Sequence, residues 1–540
     1  MQILLTEATL WAGVECVPRA GWLLLDGDRV VAVGDGDPPP ADSVIAKPGA
    51  HVLPGLIDSH LHLTTSAWQS RGGDGRLWTD VHAADAAVRA AAHADPDAPW
   101  LLFWNARPFA WPERRLPTAA ELDAAAPGRR VLISGLDLHR GAASPAALAA
   151  LGAPMVYRED DLVRDRRGRP TGELWERAFG AVLAHALEDT EAYVSAHAVE
   201  ELIRQELRRC LALGITHAHE AYVPPGQHAR MARLAAAEAP RLSWAIGAAE
   251  GLLSPVPGPR FAPGGPYGAS SREVKLFLDG GDRCALCVPA TAFGRLGLRA
   301  VGQAVAARHP GPLRDAMSRR SRVHNGELHL SDLRYDDRTL ADTLAAYLAK
   351  GIRPRLHALG NRAVRQATTA LATIGAPRGA AVIDHLTLLD PATTDQVASS
   401  GAWASYQPGF LASFGLQITA SGTDRYLSLL AGRQLLDAGA PLVLSSDHPA
   451  GPLDPLPNLR AAVARTLPDG TVVQAEQALT PSQAVRAMTT TAAASLGAPG
   501  AGGLAAGEVA DLAICDGDPF APASRVVSTW IGGREVWRCE

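Results

Sequence analysis

The sequence predicts an α/β fold in which eight parallel strands alternate with helices and close into a (β/α)8 TIM barrel. Eight apolar segments recur along the chain, each ending in a polar residue able to take part in chemistry. Ala-rich and Leu-rich stretches with helical spacing separate most of these segments. Both chain ends instead alternate short apolar runs with turn-forming residues, which predicts a small β-sandwich built from the two termini.

The predicted barrel strands are short, and segments such as "DRTLADTLAAYLAKG" and "GNRAVRQATTALATIG" between them have helical periodicity. In chain order the strands are "HVLPGLIDSH", "GITHAHE", "LSWAIGAAE", "REVKLFLDG", "IRPRLHALG", "AAVIDHLTLL", "GAWASYQP" and "PLVLSSDHP". In a barrel of this kind the carboxyl ends of the strands meet at one mouth, where active sites lie. The residues at these strand ends are therefore the first candidates for chemistry.

Two intervals between strands are longer than a helix and its loops require, and they predict insertions. The first follows strand one, and the second, rich in Pro, Arg and Gly, follows strand four. We therefore predict a composite β-sandwich domain from residues 1–54 and 500–540. The barrel would span 55–499, with an inserted subdomain at about 66–205 and a lid-like loop region at about 280–330.

Composition narrows the classes of partner. The chain has 540 residues, a net charge of −5 and no block of five or six like charges, which argues against nucleic acid and anionic membranes as partners. A small-molecule substrate is the expected partner, and a homodimer is the assembly to test. No basic residue precedes Arg19, so we expect no secretory signal and a cytoplasmic location.

Six residues able to bind metal or take part in catalysis fall at the predicted strand ends. They are His60 and His62 on strand one, Lys275 on strand four, His357 on strand five, His385 on strand six and Asp447 on strand eight. Each alone has an ordinary structural explanation, such as a hydrogen-bonded core histidine or a helix N-cap. Together, imidazoles and a carboxylate are suitable zinc ligands. An ammonium would be repelled there, but a carbamate formed from Lys275 and carbon dioxide would supply a bridging carboxylate.

The motifs at these positions resemble those of the amidohydrolase superfamily, across nearly the whole chain. They are "GLIDSHLHL", "VKLFLDG", "LHALGNRAV", "IDHLTLLD", "SSDHPAGPLDP" and "GLAAGEVADLAICDGDP". More narrowly, they resemble amidohydrolase family 3, the YtcJ-like branch that includes N-substituted formamide deformylases. The resemblance implies a metal-dependent hydrolase that cleaves an amide C–N bond, in an N-formyl or N-acyl amine.

The resemblance also implies the roles of the strand-end residues. His60, His62 and Asp447 would hold one metal, His357 and His385 a second, and carboxylated Lys275 would bridge them together with a hydroxide. Two divalent ions are implied, and zinc is the metal we expect. Asp447 would take a proton from the hydroxide and pass it to the leaving amine.

Three further histidines are candidate substrate contacts: His139, His219 and His448. Each has a structural alternative, and Glu176 is expected to be structural. Trp68, Trp78, Tyr406 and Phe410 are candidates for an apolar pocket, with core packing as the alternative. The chain departs from the branch pattern after Asp279, where "GGDRCALCVPATAF" follows, and at His448, where a bulky residue is typical.

Two alternatives keep the same scaffold. The site could hydrolyse a cyclic amide or an ester, because the bond is chosen by the substrate loops rather than by the fold. The chain could also be a catalytically silent binding protein, although all six ligands are present. Cys284 and Cys287 form one CxxC motif, a weak zinc or redox signal with packing as its alternative.

Overall fold

The computed structural model describes residues 1–13, 15–149, 161–224, 227–237, 239–247, 273–318, 320–498 and 500–540. The last three residues of the third predicted strand and the first residue of the fourth lie outside the described residues.

Strands from the two ends of the chain form one sheet. They are β1 (Gln2–Ala12), β2 (Val17–Asp26), β3 (Arg29–Gly34), β4 (Ser43–Ala46) and β5 (His51–Pro54), with β24 (Leu512–Cys515), β25 (Val526–Ile531) and β26 (Arg534–Arg538). The order is β26-β25-β24-β5-β1-β2-β3, and β4 pairs with β1. The antiparallel pair β5 and β24 joins the termini, because Leu53 lies opposite Ala513.

Eight parallel strands form the barrel, in the positions that the sequence predicts. They are β6 (Leu56–Leu61), β13 (Ile215–Val223), β14 (Arg241–Gly247), β15 (Glu273–Phe277), β19 (Arg353–Gly360), β20 (Val382–Leu389), β21 (Trp403–Tyr406) and β23 (Leu442–Leu444). They are ordered β23-β21-β20-β19-β15-β14-β13-β6, and β22 (Ser428–Leu429) pairs with β20. Past β23, the Asp447 amide donates to the His60 carbonyl at 2.7 Å, which joins the last strand to the first.

Alternation along each strand separates the barrel interior from the surrounding helices. On β15, Val274 and Leu276 are fully buried in the main hydrophobic core, which includes Leu340 and Val364 of two helices. Burial of each such side chain contributes about 1.5–3 kcal/mol. Lys275, between them in sequence, lines a cavity at the barrel mouth instead. The same alternation therefore supplies the core and aims the polar residues inward.

The helices include those that surround the barrel and those of the insertions. They are α1 (Leu63–Gln69), α2 (Val81–Ala94), α3 (Ala119–Ala125), α4 (Pro145–Leu148), α5 (Glu176–Val194), α6 (Ala196–Ala212), α7 (His228–Ala237), α8 (Ala292–Ala306), α9 (Gly311–Ser318), α10 (Asp337–Leu348), α11 (Asn361–Thr373), α12 (Pro391–Ser400), α13 (Phe410–Ser421), α14 (Gly432–Asp437), α15 (Pro455–Ala464), α16 (Pro481–Met488) and α17 (Thr490–Ser495). None of the helices in the described residues has the length and apolar character needed to span a membrane.

Both long intervals contain regular structure. The first holds a six-stranded sheet formed by β7 (Gly73–Asp74), β8 (Leu101–Ala106), β9 (Val131–Gly135), β10 (Arg140–Ala143), β11 (Leu162–Arg164) and β12 (Pro170–Trp175). The second holds a three-stranded antiparallel sheet formed by β16 (Leu286–Pro289), β17 (Ser321–His324) and β18 (Glu327–Leu330). The predicted lid-like loop region is therefore more regular than its composition indicates, because four-residue strands are hard to recognise among Pro, Arg and Gly.

Candidate active site

Three of the predicted ligands converge where the first and last barrel strands meet. Asp447 Oδ1 lies 3.2 Å from His60 Nε2 and 3.1 Å from His62 Nε2. One ligand atom from each residue lies within 4.8 Å of the other two. His60 is completely buried, and the His62 side chain is 18% exposed. Two imidazole nitrogens and a carboxylate oxygen therefore face one another as a preformed ligand set.

Carboxylates on the far side of both imidazoles orient these rings. His60 Nδ1 lies 2.9 Å from Asp384 Oδ1, and His62 Nδ1 lies 3.3 Å from Glu220 Oε1. A carboxylate that accepts from Nδ1–H leaves the electron pair of Nε2 available to a metal, which is the usual arrangement around metal-binding histidines; His62 has such a hydrogen bond, whereas the contact of His60 with Asp384 is close but lacks hydrogen-bond geometry. Glu220 also accepts from the Thr64 amide at 2.9 Å, so its own position is fixed.

The charges of the surrounding histidines favour the ionised form of the Asp447 carboxylate. Burial alone would raise the pKa of Asp447, but His60, His62 and His385 hold it well below its usual value. Burial likewise opposes a charge on His62, yet its hydrogen bonds to Asp447 and Glu220 raise its pKa to about 9. Without a metal, the His62 ring is therefore protonated on both nitrogens near neutral pH, and its positive charge balances the carboxylates in place of a metal ion.

His357 and His385 lie beside this group. The ring centroid of His385 is 4.9 Å from that of His60 and 4.5 Å from that of His357. His385 Nδ1 lies 3.0 Å from Gln407 Oε1 and 3.9 Å from Asp447 Oδ2. Burial lowers the pKa of His385 to about 3 and that of His357 well below its ordinary value, so both rings are neutral.

Two of the candidate ligands occupy unusual backbone conformations. His385 has φ +81° and Asp447 has φ +54°, both in the left-handed region that non-glycine residues rarely adopt. Such conformations cost about 1–3 kcal/mol each and persist where the surrounding structure holds them. Asp447 is held by its amide hydrogen bond to His60 and by its contacts with the two imidazoles.

Lys275 is 1% exposed and lines a cavity together with His62, His357, His385 and Asp447. Its Nζ donates to Asp384 Oδ2 at 2.6 Å. Burial lowers the pKa of the amine, although Asp384 opposes this shift. A lowered pKa increases the fraction of neutral amine, which is the form that reacts with carbon dioxide.

These residues fit a divalent metal centre. His60, His62 and Asp447 present two imidazole nitrogens and one negatively charged carboxylate at one point. His357 and His385 are neutral, which is the protonation state that a metal requires of a histidine ligand. His357 Nε2 is buried and has no hydrogen-bond partner among the described residues; the nearest oxygen of Asp279 is 3.6 Å away. Burying such a nitrogen without a partner is unfavourable, so a ligand or ion at this position would satisfy it.

Two cavities meet at the group. One has a volume of about 770 Å³ and an apolar wall formed by Leu286, Leu359, Leu388, Phe410, Phe414 and Ile418. The other has a volume of about 620 Å³ and includes Leu138, Leu183, Tyr222 and Phe277 in its wall. Both are lined by Asp137, His139, His357, His385, Asp447 and Ala450. The candidate metal centre therefore lies where the two cavities join.

Of the three histidines predicted as substrate contacts, His139 lines both cavities. Its Nδ1 lies 2.7 Å from Glu176 Oε2, and its ring centroid is 4.8 Å from that of His357. Burial opposes protonation, but Glu176 raises the pKa of His139 overall. Glu176 also pairs with Arg334 at 3.2 Å, so it acts here by fixing the His139 ring.

His219 and His448 line neither of these cavities. His219 is buried inside the barrel, where its Nδ1 lies 2.8 Å from Ser243 Oγ. His448 Nε2 lies 2.8 Å from Ser66 Oγ, while its carbonyl accepts from the His62 amide at 2.7 Å. The structure places both side chains in these hydrogen bonds, and contact with substrate stays a prediction for each.

Of the aromatic candidates, Phe410 lines the larger cavity. Trp68, Trp78 and Tyr406 belong to or pack against hydrophobic clusters, as the packing alternative expects. Cys284 also lines the larger cavity. Cys287 instead lies close to Glu327 and His329 on the three-stranded sheet.

Sequence reasoning missed three carboxylates around the site. Asp384 binds His60 and Lys275, and Glu220 binds His62. Asp137 lines both cavities, where burial and the neighbouring Asp282 raise its pKa to about 7. Each stands one or two residues from a noted histidine, in "DH", "HE" and "DLH". That proximity was the available signal.

Comparison with known proteins identifies the family and related chains. The model described as "Amidohydrolase family" matches residues 44–537. An N-substituted formamide deformylase from Arthrobacter pascens is 26% identical, and the alignment covers 95% of this chain and 94% of that protein. The putative amidohydrolase YtcJ of Bacillus subtilis is also 26% identical, with coverage of 92% and 91%.

Among solved structures, an uncharacterized metal-dependent hydrolase from Pyrococcus horikoshii superimposes with a TM-score of 0.67. Its sequence is 18% identical, and the alignment covers 96% of this chain and 98% of that one. At this identity the likeness shows the fold.

Proposed function

The chain belongs to the amidohydrolase family, and from that premise we propose that it is a metal-dependent hydrolase of an amide C–N bond. The predicted resemblance to the YtcJ-like branch is confirmed at low identity. The observation that carries the proposal is the convergence of His60, His62 and Asp447 where two cavities join.

In this proposal His60, His62 and Asp447 would hold one divalent ion, His357 and His385 would hold a second, and a carbamate on Lys275 would supply a further carboxylate ligand. Zinc is the proposed metal because the ligands are imidazole and carboxylate. When bound, the ions would lower the pKa of a water molecule towards neutrality and polarise the substrate carbonyl.

The chain's own residues supply proton transfer and orientation. Asp447 is ionised, and its Oδ1 faces the two imidazoles; its other oxygen, Oδ2, lies 3.9 Å from His385 Nδ1 and can accept a proton and return it to the leaving amine. Glu220 keeps the Nε2 atom of His62 free, and Asp384 lies close to Nδ1 of His60. His139, fixed by Glu176, is the proposed contact for the substrate carbonyl group.

The two cavities share the residues of the centre but have different further walls, which favours a linear amide whose acyl and amine parts occupy one cavity each. The apolar wall around Phe410 and Phe414 suits an apolar substituent. A cyclic amide or an ester acted on by the same residues is the second candidate. The β-sandwich, the domain bounds, a small-molecule partner, a cytoplasmic location and a homodimer remain predictions from the sequence.

A substrate panel with zinc-reconstituted protein tests the proposal. We expect turnover of N-substituted formamides or N-acyl amines and none in a His62→Ala variant, which controls for contaminating activity. Turnover confined to lactams or esters would contradict the linear-amide assignment.

The carbamate has its own test. In protein equilibrated with ¹³C-bicarbonate, we expect a carbamate carbon signal that is absent from Lys275→Ala, together with loss of activity in that variant. Full activity in Lys275→Ala, with less than one metal per chain in the wild type, would remove the proposed mechanism; the silent binding protein would instead show no turnover of any substrate in the panel.

A further inference from the structure

The three-stranded sheet between barrel strands four and five has two unlike faces. Leu286, Val288 and Leu328 on one face are at most 2% exposed and belong to the main hydrophobic core. The opposite face carries Cys287, Glu327 and His329, which alternate with those residues along β16 and β18. Apolar packing accounts for the first face and leaves this second set unexplained.

The register of the sheet brings these three side chains together. Cys287 and His329 are direct cross-strand partners, and Glu327 precedes His329 by two residues and so points to the same side. One ligand atom from each residue lies within 4.8 Å of the other two, and His329 Nε2 is 3.6 Å from Glu327 Oε2. Ligand atoms around a tetrahedral zinc ion are about 3.3–3.8 Å apart, so small side-chain rotations would complete the site.

Burial and access both suit a bound ion. Cys287 is 4% exposed, whereas the side chains of His329 and Glu327 are 14% and 44% exposed, which leaves a route from solvent. His329 Nδ1 is buried and has no hydrogen-bond partner among the described residues. In the absence of a cation, burial and Glu327 raise the pKa of the Cys287 thiol to about 12, so the thiol stays protonated.

Three arginines lie near this group: Arg365, Arg362 and Arg322, which is exposed and stands opposite His329 in the register of β17 and β18. Arg365 lies 3.6 Å from Glu327, but its other terminal nitrogen pairs with Asp390 at 2.8 Å. Arg362 lowers the pKa of Cys287 and thereby favours the thiolate that a metal requires. Binding a divalent ion releases the thiol proton, so the local charge changes by one unit rather than two.

We propose that Cys287, Glu327 and His329 bind a zinc ion at a second site, separate from the barrel mouth, with water as the fourth ligand. The ion would link β16 to β18. Because Cys284 and Leu286 line the larger cavity, this link would support the cavity wall. The proposal does not depend on the reaction at the barrel mouth.

Cobalt is the probe, because a cobalt–thiolate bond gives a strong charge-transfer absorption that imidazole and carboxylate ligands do not. The full chain is stripped of metal with a chelator and titrated with Co²⁺. We expect this absorption to saturate at one thiolate-bound ion per chain in the wild type and to be lost in Cys287→Ser. It should persist in Cys284→Ser, the matched control, whose cysteine faces the cavity.

Two further variants keep the test decisive. A His60→Ala/His62→Ala double variant should retain the thiolate absorption, which separates this site from the barrel mouth. His329→Gln keeps the thiol, and we expect its Co²⁺ affinity to fall at least tenfold; this variant replaces Cys287→Ser should the latter not fold. A wild-type protein without thiolate absorption, or equal absorption in Cys287→Ser, would overturn the proposal.

Discussion

Two His-x-His pairs lie on neighbouring strands of the barrel, and they have different surroundings. His60 lies near the end of β6 and His62 directly follows the strand, and both Nε2 atoms lie close to Asp447 Oδ1. His217 and His219 lie within β13, and each contacts Ser243 Oγ at 2.8 Å. The spacing and the strand type are the same, so neither can account for the difference.

Depth along the barrel accounts for it. In the register of β13 and β6, His217 lies level with Ile57, and Glu220 lies level with Leu61. The residue of "THAHE" that reaches the mouth is therefore Glu220, which contacts His62. Deeper in the barrel, burial lowers the pKa of His217 to about 3 and that of His219 to about 4, so those rings stay neutral. A His-x-His motif thus predicts ligands only once its depth is known.

The largest expected effect comes from removing a ring at the mouth. His62→Ala should lower activity and metal affinity by more than about 100-fold, the upper end of the loss seen when only an outer partner of a metal ligand is removed. His217→Gln should keep the wild-type metal content. Elemental analysis of both purified variants measures the metal content. Equal metal content in the two variants would remove the distinction between the pairs.

The next effect concerns the carboxylate that orients His62. Glu220→Gln should weaken metal binding by about 10–100-fold, because the amide no longer supplies a full negative charge to Nδ1–H. Competition with a chromophoric chelator measures the affinity. Ser243→Ala alters the contacts of His217 and His219, so it is the control and should leave the metal affinity unchanged. An unchanged metal affinity in Glu220→Gln would argue against the proposal that Glu220 orients His62.

A smaller effect is expected deeper in the barrel. Ser243→Ala removes the hydroxyl shared by His217 and His219 and should lower the free energy of unfolding by about 1–3 kcal/mol, with activity nearly retained. Thermal unfolding followed by circular dichroism provides the measurement. Ser405→Ala, whose hydroxyl makes only longer contacts of 3.3 and 3.4 Å within the described part of the chain, should lower the free energy of unfolding less. The reverse order would contradict the assigned role of Ser243.

The most gradual effect is on the stability of the metal-free protein as a function of pH, which changes by at most about 1.4 kcal/mol per pH unit for each group. The folded pKa of His62 is raised from 6.5 to about 9, so its stabilisation is present below pH 6.5 and is lost as the pH rises through 9. The folded pKa of His219 is lowered from 6.5 to about 4, so stability is lost as the pH falls between these values.

The melting temperature of metal-free protein between pH 4 and 10 tests these opposite slopes. His62→Gln should flatten the alkaline side of the profile, and His219→Gln should flatten the acidic side. If either variant flattened the other side, the assignment of the slopes would be wrong.

Sequence periodicity was sufficient to locate all eight barrel strands, because buried strands and intervening helices differ clearly in pattern. It was also sufficient to nominate residues that meet at one mouth, because strand ends converge in such a barrel. The roles of the outer carboxylates were not predicted, although each lies within two residues of a noted histidine. Glu220 and Asp384 depend on strand register and depth, which a single sequence does not encode locally.

Other features depend on contacts that are distant in the chain. The left-handed backbone of His385 and Asp447 is imposed by neighbours, since neither residue is a glycine. Cys287 was noted for its spacing from Cys284, yet the structure groups it with Glu327 and His329 instead. That grouping comes from strand pairing between short strands, which composition did not reveal.

The seam between the first and last barrel strands has a consequence for folding. The Ser446 amide donates to Asp58 at 3.0 Å across 388 residues of sequence, next to the place where Asp447 meets His60. Contacts so distant in the chain form late, because the entropy of closing a long loop must be overcome first. A metal ion can bind His60, His62 and Asp447 together only after this closure. Metal binding should therefore leave the refolding rate unchanged and lower the unfolding rate.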